Sequence, residues 1–261
     1  MDKAAVIARV ASDPADRLLL ARVLDQYEKA ERRGIPAATV FLSPREQAMA
    51  QALLNTLGVR SGYVFDGGYE GAERKLLAFL PDWAEDAAGE LAFFRAAFRD
   101  KDAVLTHRDI LGSLMGLGIT RERVGDILVS PHSADVVASP SLGDFFLREW
   151  DSAGRTRLTV TEIGREELLV PEVKVTRVQD TVSSMRLDAV VSAAFSMSRG
   201  RAGELIAAGR VSLDHTPCLK PDKPVGEGAV VTARGFGRAV VRECGRTSKK
   251  GRIILEMDRY G

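Results

Sequence analysis

Between Leu91 and Ile163 the spacing of apolar residues changes period in a fixed order, and that order restricts the fold more than any other feature of the chain. Leu91–Phe98 reads as a strand. Thr106-His107-Arg108-Asp109 opens a helix carrying Ile110, Leu111, Leu114 and Leu117, closed by Gly118. Val124–Val129 follows as a strand and Asp135–Ala138 as a weaker one. Pro140–Trp150 is a helix with Leu142, Phe145, Phe146 and Trp150 on one side, and Arg157–Ile163 alternates as a final strand. The order β-α-β-β-α-β predicts the split βαβ arrangement, an antiparallel sheet with two helices on one face.

A sheet of this RRM-like or ferredoxin-like kind is shared by RNA-recognition modules and by many unrelated proteins. RNA-recognition modules stack bases on aromatics of their central strands; that signature is absent here, and Phe93 and Phe94 are the only candidates. RNA binding by the sheet and plain structural support are both open readings.

Ahead of this region, Asp13 caps a helix with Pro14 in its first turn and Asp16 beside its positive end. Leu20, Val23, Leu24 and Tyr27 repeat at helical spacing until Gly34 and Pro36. Ala37–Leu42 reads as a buried strand. Ser43-Pro44-Arg45-Glu46 is a capping box, Met49, Leu53, Leu54 and Leu57 line the helix that it opens, and Gly58 ends it. Strand-like runs at Val59–Phe65 and Arg74–Leu80 flank a Gly67-Gly68 turn. These elements predict a mixed α/β unit over residues 1–81. After an acidic, alanine-rich connector from Asp82 to Gly89, the central domain spans 82–165. Glu166–Val182, with Pro171 and the alternating Val173, Val175 and Val178, reads as an extended linker or edge strand.

Composition narrows the class. The chain of 261 residues is 45% hydrophobic and 28% charged, which is globular, and two or three domains are expected at this length. No apolar run approaches the roughly eighteen residues of a membrane span. The start MDKAAVIARVASD carries acidic residues where a signal peptide needs a basic and then apolar stretch. Cys218 and Cys244 are too few for a disulfide framework or zinc cluster, and His107, His132 and His215 stand far apart. A cytoplasmic protein without membrane, metal or cofactor is the expectation.

The net charge of +1 hides an asymmetry. From Ser183 onward there are 14 Lys and Arg against 8 Asp and Glu, a surplus of 6; the remainder holds 23 against 28. Such sorting points to a polyanion-binding carboxy-terminal domain, though a chance surface imbalance gives the same count. There Arg186-Leu187-Asp188 opens a short helix with Leu187, Val190, Val191 and Ala194 at core spacing. Ser198-Arg199-Gly200-Arg201 opens a second, buried through Ala202, Leu205 and Ile206 and ended by Gly209. Val211–Asp214 is a strand, residues 217–228 are rich in turns, and Ala229–Ala233 is a further strand.

Arg199 and Arg201 occupy a helix's first turn, where each cation costs roughly 0.3–1 kcal/mol against the macrodipole. A bound phosphate would reverse the sign, with helix-end N–H groups, the Ser198 hydroxyl and two guanidinium groups converging on one anion. The alternative is that both side chains bend into solvent. Arg186, Arg210, Lys220 and Lys223 are nearby and of the same sign.

Arg186-Leu187-Asp188, Ser198-Arg199, Leu205-Ile206, Gly209-Arg210-Val211 and Lys220-Pro221 together resemble the RNA-binding domain first known in small-subunit ribosomal protein S-four. The resemblance implies two helices and an attached strand presenting a basic surface to structured RNA. Many relatives have Asn where this chain has Asp214. Further motifs resemble the YlmH-type RNA-binding proteins: Phe65-Asp66-Gly67-Gly68-Tyr69 with Ala72-Glu73-Arg74, Thr106-His107-Arg108-Asp109 with Leu114-Met115-Gly116-Leu117-Gly118, Gly125-Asp126-Ile127, and Arg234-Gly235-Phe236-Gly237-Arg238. The likeness runs from about Thr39 to Tyr260. It implies a non-enzymatic bacterial RNA binder associated with translation, whose relatives are linked to large ribosomal subunits carrying stalled peptidyl-tRNA and, by name, to cell division.

Other motifs carry less. Gly235-Phe236-Gly237 is no dinucleotide fingerprint, because Val240 stands where the third glycine belongs and a strand follows. Phe236 between Arg234 and Arg238 suits base stacking beside phosphates, or equally a tight turn with a packed ring. Lys249-Lys250 adds phosphate contacts or is a solvated pair. Arg186-Leu187-Asp188 is similar to the catalytic stretch of pseudouridine synthases, but an apolar helical run, Ala189–Phe195, follows it, so Asp188 reads as a helix-start residue paired with an Arg. His107 touches RNA or joins a local capping network. No P-loop, nucleophile elbow or metal-ligand spacing occurs.

The expected fold is therefore α+β: the amino-terminal unit, the central split βαβ sheet, a linker over 166–182, and an S-four-like domain over 183–261. The expected function is binding of rRNA or ribosome-bound tRNA, on the ribosome or its large subunit and without chemistry. Arg186, Ser198, Arg199, Arg201, Arg210, Lys220 and Lys223 would grip phosphates, with Arg234, Phe236 and Arg238 as a second contact. An RNA-modifying enzyme with an S-four targeting domain and a division-linked scaffold are the alternatives.

Overall fold

The computed structural model describes residues 3–84, 86–87, 89–172, 174–248 and 251–260. It divides into two compact units, Met1–Pro171 and Glu172–Gly261.

The first unit opens with α1 (Lys3–Val10) and α2 (Pro14–Arg33), then β1 (Ala37–Ala38), α3 (Pro44–Leu57), β2 (Tyr63–Asp66) and β3 (Leu76–Phe79). Asp13 accepts from the backbone N–H of Ala15 at 2.8 Å and Asp16 at 3.4 Å, and Gly34 ends α2 in the left-handed conformation at φ 61°. The Ser43/Glu46 capping box is formed, and Leu20, Val23, Leu24, Leu53 and Leu54 pack with Leu77 and Phe79. The short α1 joins this core through Ile7 and has no counterpart among the elements expected from the sequence.

The strand expected over Ala37–Leu42 is a ladder only at Ala37–Ala38. The cause is long-range: Thr39 Oγ1, in place of a backbone carbonyl, accepts from Leu77 N at 3.0 Å, and Phe41 N turns away to donate to Glu122 O at 2.8 Å. Both later strands are also shorter than expected. The chain between them is held as a loop by the Asp126 carboxylate, which accepts from Tyr69 Oη at 2.8 Å, Glu73 N at 2.7 Å and Arg74 N at 3.0 Å.

The same unit continues with β4 (Ala92–Phe98), α4 (His107–Gly116), β5 (Val124–Val129), β6 (Ser133–Ala138), α5 (Gly143–Glu149), β7 (Ser152–Ala153) and β8 (Thr156–Ile163). The sheet order is β5-β6-β4-β8-β7 with every pairing antiparallel, which is the split βαβ order with a short hairpin added at one edge. Phe94, Ala96, Val136 and Ala138 face α4 and α5, packing with Ile110, Leu114, Phe146 and Trp150; the Phe94 and Phe146 rings meet edge-on, centroids 5.1 Å apart. The opposite face is covered as well. Phe93 and Val137 pack there with Phe41, Leu76, Ala78 and Leu91.

Burial on both sides makes β6 the reverse of a weak strand, since each of its residues is buried. Its period-2 signal is absent because neither face meets water. Asp135 on this strand has a fully buried side chain and forms a two-point pair with Arg95, directly opposite in register, at 2.7 Å for each bond; it also accepts from Leu169 N at 2.8 Å.

The second unit contains β9 (Val175–Val182), α6 (Leu187–Ala194), α7 (Arg199–Ala207), β10 (Val211–Leu213), β11 (Thr216–Pro217), β12 (Val230–Ala233), β13 (Gly237–Glu243) and β14 (Ile253–Tyr260). Its sheet runs β11-β10-β12-β13-β14-β9, with β9, read beforehand as linker or edge strand, paired to β14 at the edge. Val173 lies outside the described residues. Leu187, Val190, Val191, Leu205 and Ile206 close the core against Val231, Val241 and Leu255. The strand expected to reach Asp214 stops at Leu213, because Asp214 (φ 48°) and His215 (φ 64°) form the two left-handed positions of a tight hairpin into β11. The helices are tied by one carboxylate: Asp188 of α6 accepts from Arg199 Nη2 at 2.6 Å and Arg186 Nε at 3.2 Å. Burial draws the pKa of Asp188 upward, but the hydrogen bonds from Arg199 and Arg186 outweigh it and leave it below the usual carboxylate value.

Two consequences are measurable. Arg95→Ala strands a buried carboxylate and should cost about 3 kcal/mol in urea unfolding of the full chain, whereas the pair Arg95→Met with Asp135→Leu should recover most of that loss; a single-variant cost below about 1 kcal/mol contradicts the pairing argument. A folded pKa below the unfolded one means Asp188 stabilises fully above its unfolded value of about 4 and loses this as pH falls through the folded value. Asp188→Asn should therefore melt below wild type at about pH 6, and the two melting temperatures should converge toward about pH 2. Parallel curves would refute the assignment.

Candidate nucleic-acid interface

The basic residues of the second unit are placed by the start of α6. Arg186 stands at the N-cap position with no side-chain cap, and the helix-end N–H groups are satisfied from another quarter. Leu187 N donates to Lys223 O at 2.9 Å and Asp188 N to Pro221 O at 2.9 Å, while Val225 N donates to Met185 O at 2.8 Å. These bonds lay the Lys220–Pro224 loop across the helix start, so Lys220 and Lys223 come beside Arg186, more than thirty positions earlier in sequence. Arg199 reaches the same place by its bond to Asp188.

This arrangement corrects the expected single anion site at the start of α7. Ser198 Oγ does cap the helix, accepting from Arg201 N at 3.1 Å, so the hydroxyl is already engaged. Arg199 crosses to Asp188, and Arg201 pairs with Glu204 at 2.8 Å one turn on. The two guanidinium groups neither bend freely into solvent nor converge. Each is offset against the helix dipole by a carboxylate.

The second group gathers around the β12–β13 turn. Arg210, directly after Gly209 at the end of α7, accepts at its carbonyl from Arg234 N at 2.9 Å and donates from Nη2 to Arg234 O at 3.1 Å. Phe236 on the turn is 42% exposed and leans on Phe195 at the end of α6, ring centroids 6.3 Å apart. Its ring is thus both partly packed and partly open, combining the two readings of the turn. Arg238 lies over the Tyr260 ring at 4.8 Å. Because α6 has eight residues, about 12 Å separates the Arg186 end from the Phe195 end. Seven of the ten candidate residues therefore fall in two clusters at the ends of one short helix, with Arg238 on the neighbouring strand and Ser198 and Arg201 at the start of α7. Lys249 and Lys250 lie outside the described residues.

The central sheet offers no stacking platform. Phe93 is 8% exposed and Phe94 fully buried, so the structural-support reading of these rings holds. His107 is exposed at the start of α4 and outside the capping box, which Thr106 and Asp109 form without it. What sequence reasoning missed are Arg74 and Arg121, whose side chains reach into the first unit. Their signal was weak: each is a single Arg in a loop or turn. Among the described residues no group of three or more His, Cys, Asp or Glu is placed to hold a metal, and no helix is long and apolar enough to cross a membrane.

Comparison with known proteins agrees with this architecture. Residues 15–82 match the model of the YlmH amino-terminal domain, 85–167 that of the putative RNA-binding domain in YlmH, and 185–231 that of the S4 domain. The ribosome-associated protein quality control protein P2 of Bacillus subtilis is 35% identical over 222 residues, covering 84% of this chain and 86% of that protein. The solved cell division protein ylmH from Streptococcus pneumoniae is 23% identical, with a TM-score of 0.49 over 62% of this chain and 98% of that one. With three successive domain matches and a relative aligned over most of both lengths, the chain belongs to the YlmH family of RNA-binding proteins with a carboxy-terminal S4 domain.

Proposed function

We propose that the chain binds structured RNA, rRNA or ribosome-bound tRNA, through the basic side of its S4 unit, in the cytoplasm and without changing the RNA chemically. The observation that carries this reading is the gathering of Arg186, Arg199, Lys220 and Lys223 at one end of α6, with Arg210, Arg234 and the half-open Phe236 at the other. Guanidinium groups suit phosphate oxygens in two-point contacts, and an exposed ring suits a base. The ion pairs do not oppose this. Arg201 and Glu204 are both more than half exposed, and such pairs are worth about 0–1 kcal/mol, so a phosphate displaces the glutamate at little cost.

Asp188, the carboxylate in the first cluster, is held ionised between two arginines, which suits a positioning role better than acid or base chemistry. The relative from Bacillus subtilis is named for ribosome-associated protein quality control, which supports a place on the ribosome.

Sedimentation with purified ribosomal subunits across a salt series tests the reading. Binding should fall steeply with salt, and Arg199→Ala with Arg201→Ala should weaken it about tenfold while lowering the log–log salt slope by roughly one to two. Undiminished affinity in a folded double variant contradicts the assignment. A modified nucleotide lost from the RNA of a deletion strain would instead establish chemistry.

A further inference from the structure

The first unit carries a half-open cavity of about 1000 Å³, walled in part by Arg22, Val40, Arg74, Arg121 and Ser139. Two guanidinium groups meet on its wall. Arg74 donates from Nε to Val124 O at 3.2 Å and from Nη2 to Phe41 O at 2.8 Å; Arg121 donates from Nη1 to the same Val124 O and to Gly125 O at 2.8 Å. Sharing one carbonyl acceptor brings two like charges side by side. Among the described residues neither has a carboxylate within ion-pair reach.

The nearby acids are otherwise occupied. Asp126 is filled by Tyr69, Glu73 N and Arg74 N, Glu46 accepts from Ser43 N in the α3 capping box, and Glu122 faces Arg22 at 3.8 Å. Glu90 also lines the cavity. Burial, and after it the charge of Arg74, pushes the Arg121 pKa down to about 10, and burial lowers Arg74 despite the pull of Glu46 and Asp126.

Part of this has a structural purpose: both side chains brace the β5 irregularity between Val124 and Ile127 by donating to carbonyls there. Bracing needs donors, not two adjacent charges with no carboxylate in direct contact among the described residues. Moreover, Nη1 of Arg74 and Nη2 of Arg121 make no hydrogen bond within the described residues, yet no fully buried polar side-chain atom there lacks a partner. Those N–H groups are therefore not fully buried, and both residues line the cavity.

We propose that this cavity binds a phosphate ester of nucleotide size, with the phosphate between Arg74 and Arg121 and the organic part along Leu19 and Val40, beside Gln26 and Ser139. Arg74 Nη1 and Arg121 Nη2, one from each guanidinium, together supply the two-point contact that a phosphate accepts, and the volume is that of a small-molecule site. A free nucleotide and the 5′-phosphorylated end of an RNA offer the same chemistry.

The test uses the full chain in equilibrium dialysis with inorganic phosphate, adenosine 5′-monophosphate, and an RNA trinucleotide with or without its 5′-phosphate. The monophosphate should bind. Arg121→Gln should weaken it by about tenfold or more, with the thermal midpoint showing that the fold persists. Because Arg121 also braces β5, Val40→Trp provides a second arm that fills the cavity and leaves both arginines: it should lose the nucleotide and keep inorganic phosphate. Tighter binding of the trinucleotide only when 5′-phosphorylated assigns the site to an RNA end, and preference for the mononucleotide assigns it to a free metabolite. Absence of binding by the wild-type chain at millimolar probe overturns the proposal, and so does nucleotide binding that both variants retain.

Discussion

Covering both faces of the central sheet is the constraint on which the first unit depends. Helices α4 and α5 close one side, and Phe41, Leu76, Ala78 and Leu91 close the other. Along β6, which is buried on both faces, a charge must carry its own partner, and Asp135 does so with Arg95 in register opposite. The same closure places Gly68 at van der Waals limits. A Cβ there would stand 2.6 Å from Phe93 Cε1, at a φ of 92° that already favours glycine. Gly125 is in the same position, with Phe41 Cε1 2.7 Å from where its Cβ would be.

Closure also bears on function. A four-stranded sheet of this order reads RNA when its open face carries exposed aromatics. Here the corresponding face carries Phe93, Val137 and the Arg95–Asp135 pair, all beneath the elements of residues 37–80 and 163–169. Any contact that this domain makes with RNA runs through edges, loops or the Arg74–Arg121 wall, not through stacking on the strands. The basic surplus and the half-exposed Phe236 lie on the second unit.

How much of this was legible in the sequence follows the range of the interactions. Caps and glycine stops act within four residues, so α2, α3, α4 and α7 appear where Asp13, Ser43, Thr106 and Ser198 place them. Strand ends depend on distant partners, and the Ala37–Leu42 run is cut short by a Thr39 side chain that only the fold brings to Leu77. The charge surplus marked the basic unit but not its geometry. Arg199 and Arg201, two positions apart, are separated by acids eleven residues away in one case and three in the other. Lys223 joins Arg186 only because α6 borrows carbonyls from the Lys220–Pro224 loop.

Pairing basic residues with acids has a further effect on how the second unit meets a polyanion. A salt-bridged arginine presents a fixed direction and little rotamer freedom, so Arg186 and Arg199, steered by Asp188, lose less entropy on meeting a phosphate than solvated side chains would. The cost is a weaker local field, because each internal acid cancels one cation nearby. It does not cancel the sum: 14 basic against 8 acidic residues remain from Ser183 onward. That net field extends over a Debye length of about 10 Å at 0.1 M salt, about the separation of the two clusters along α6. Long-range attraction therefore comes from the surplus, and orientation from the pairs. If the two patches are the RNA contact, a surface built this way favours RNA folded to match them, since a flexible strand satisfies the surplus but gains nothing from the spacing.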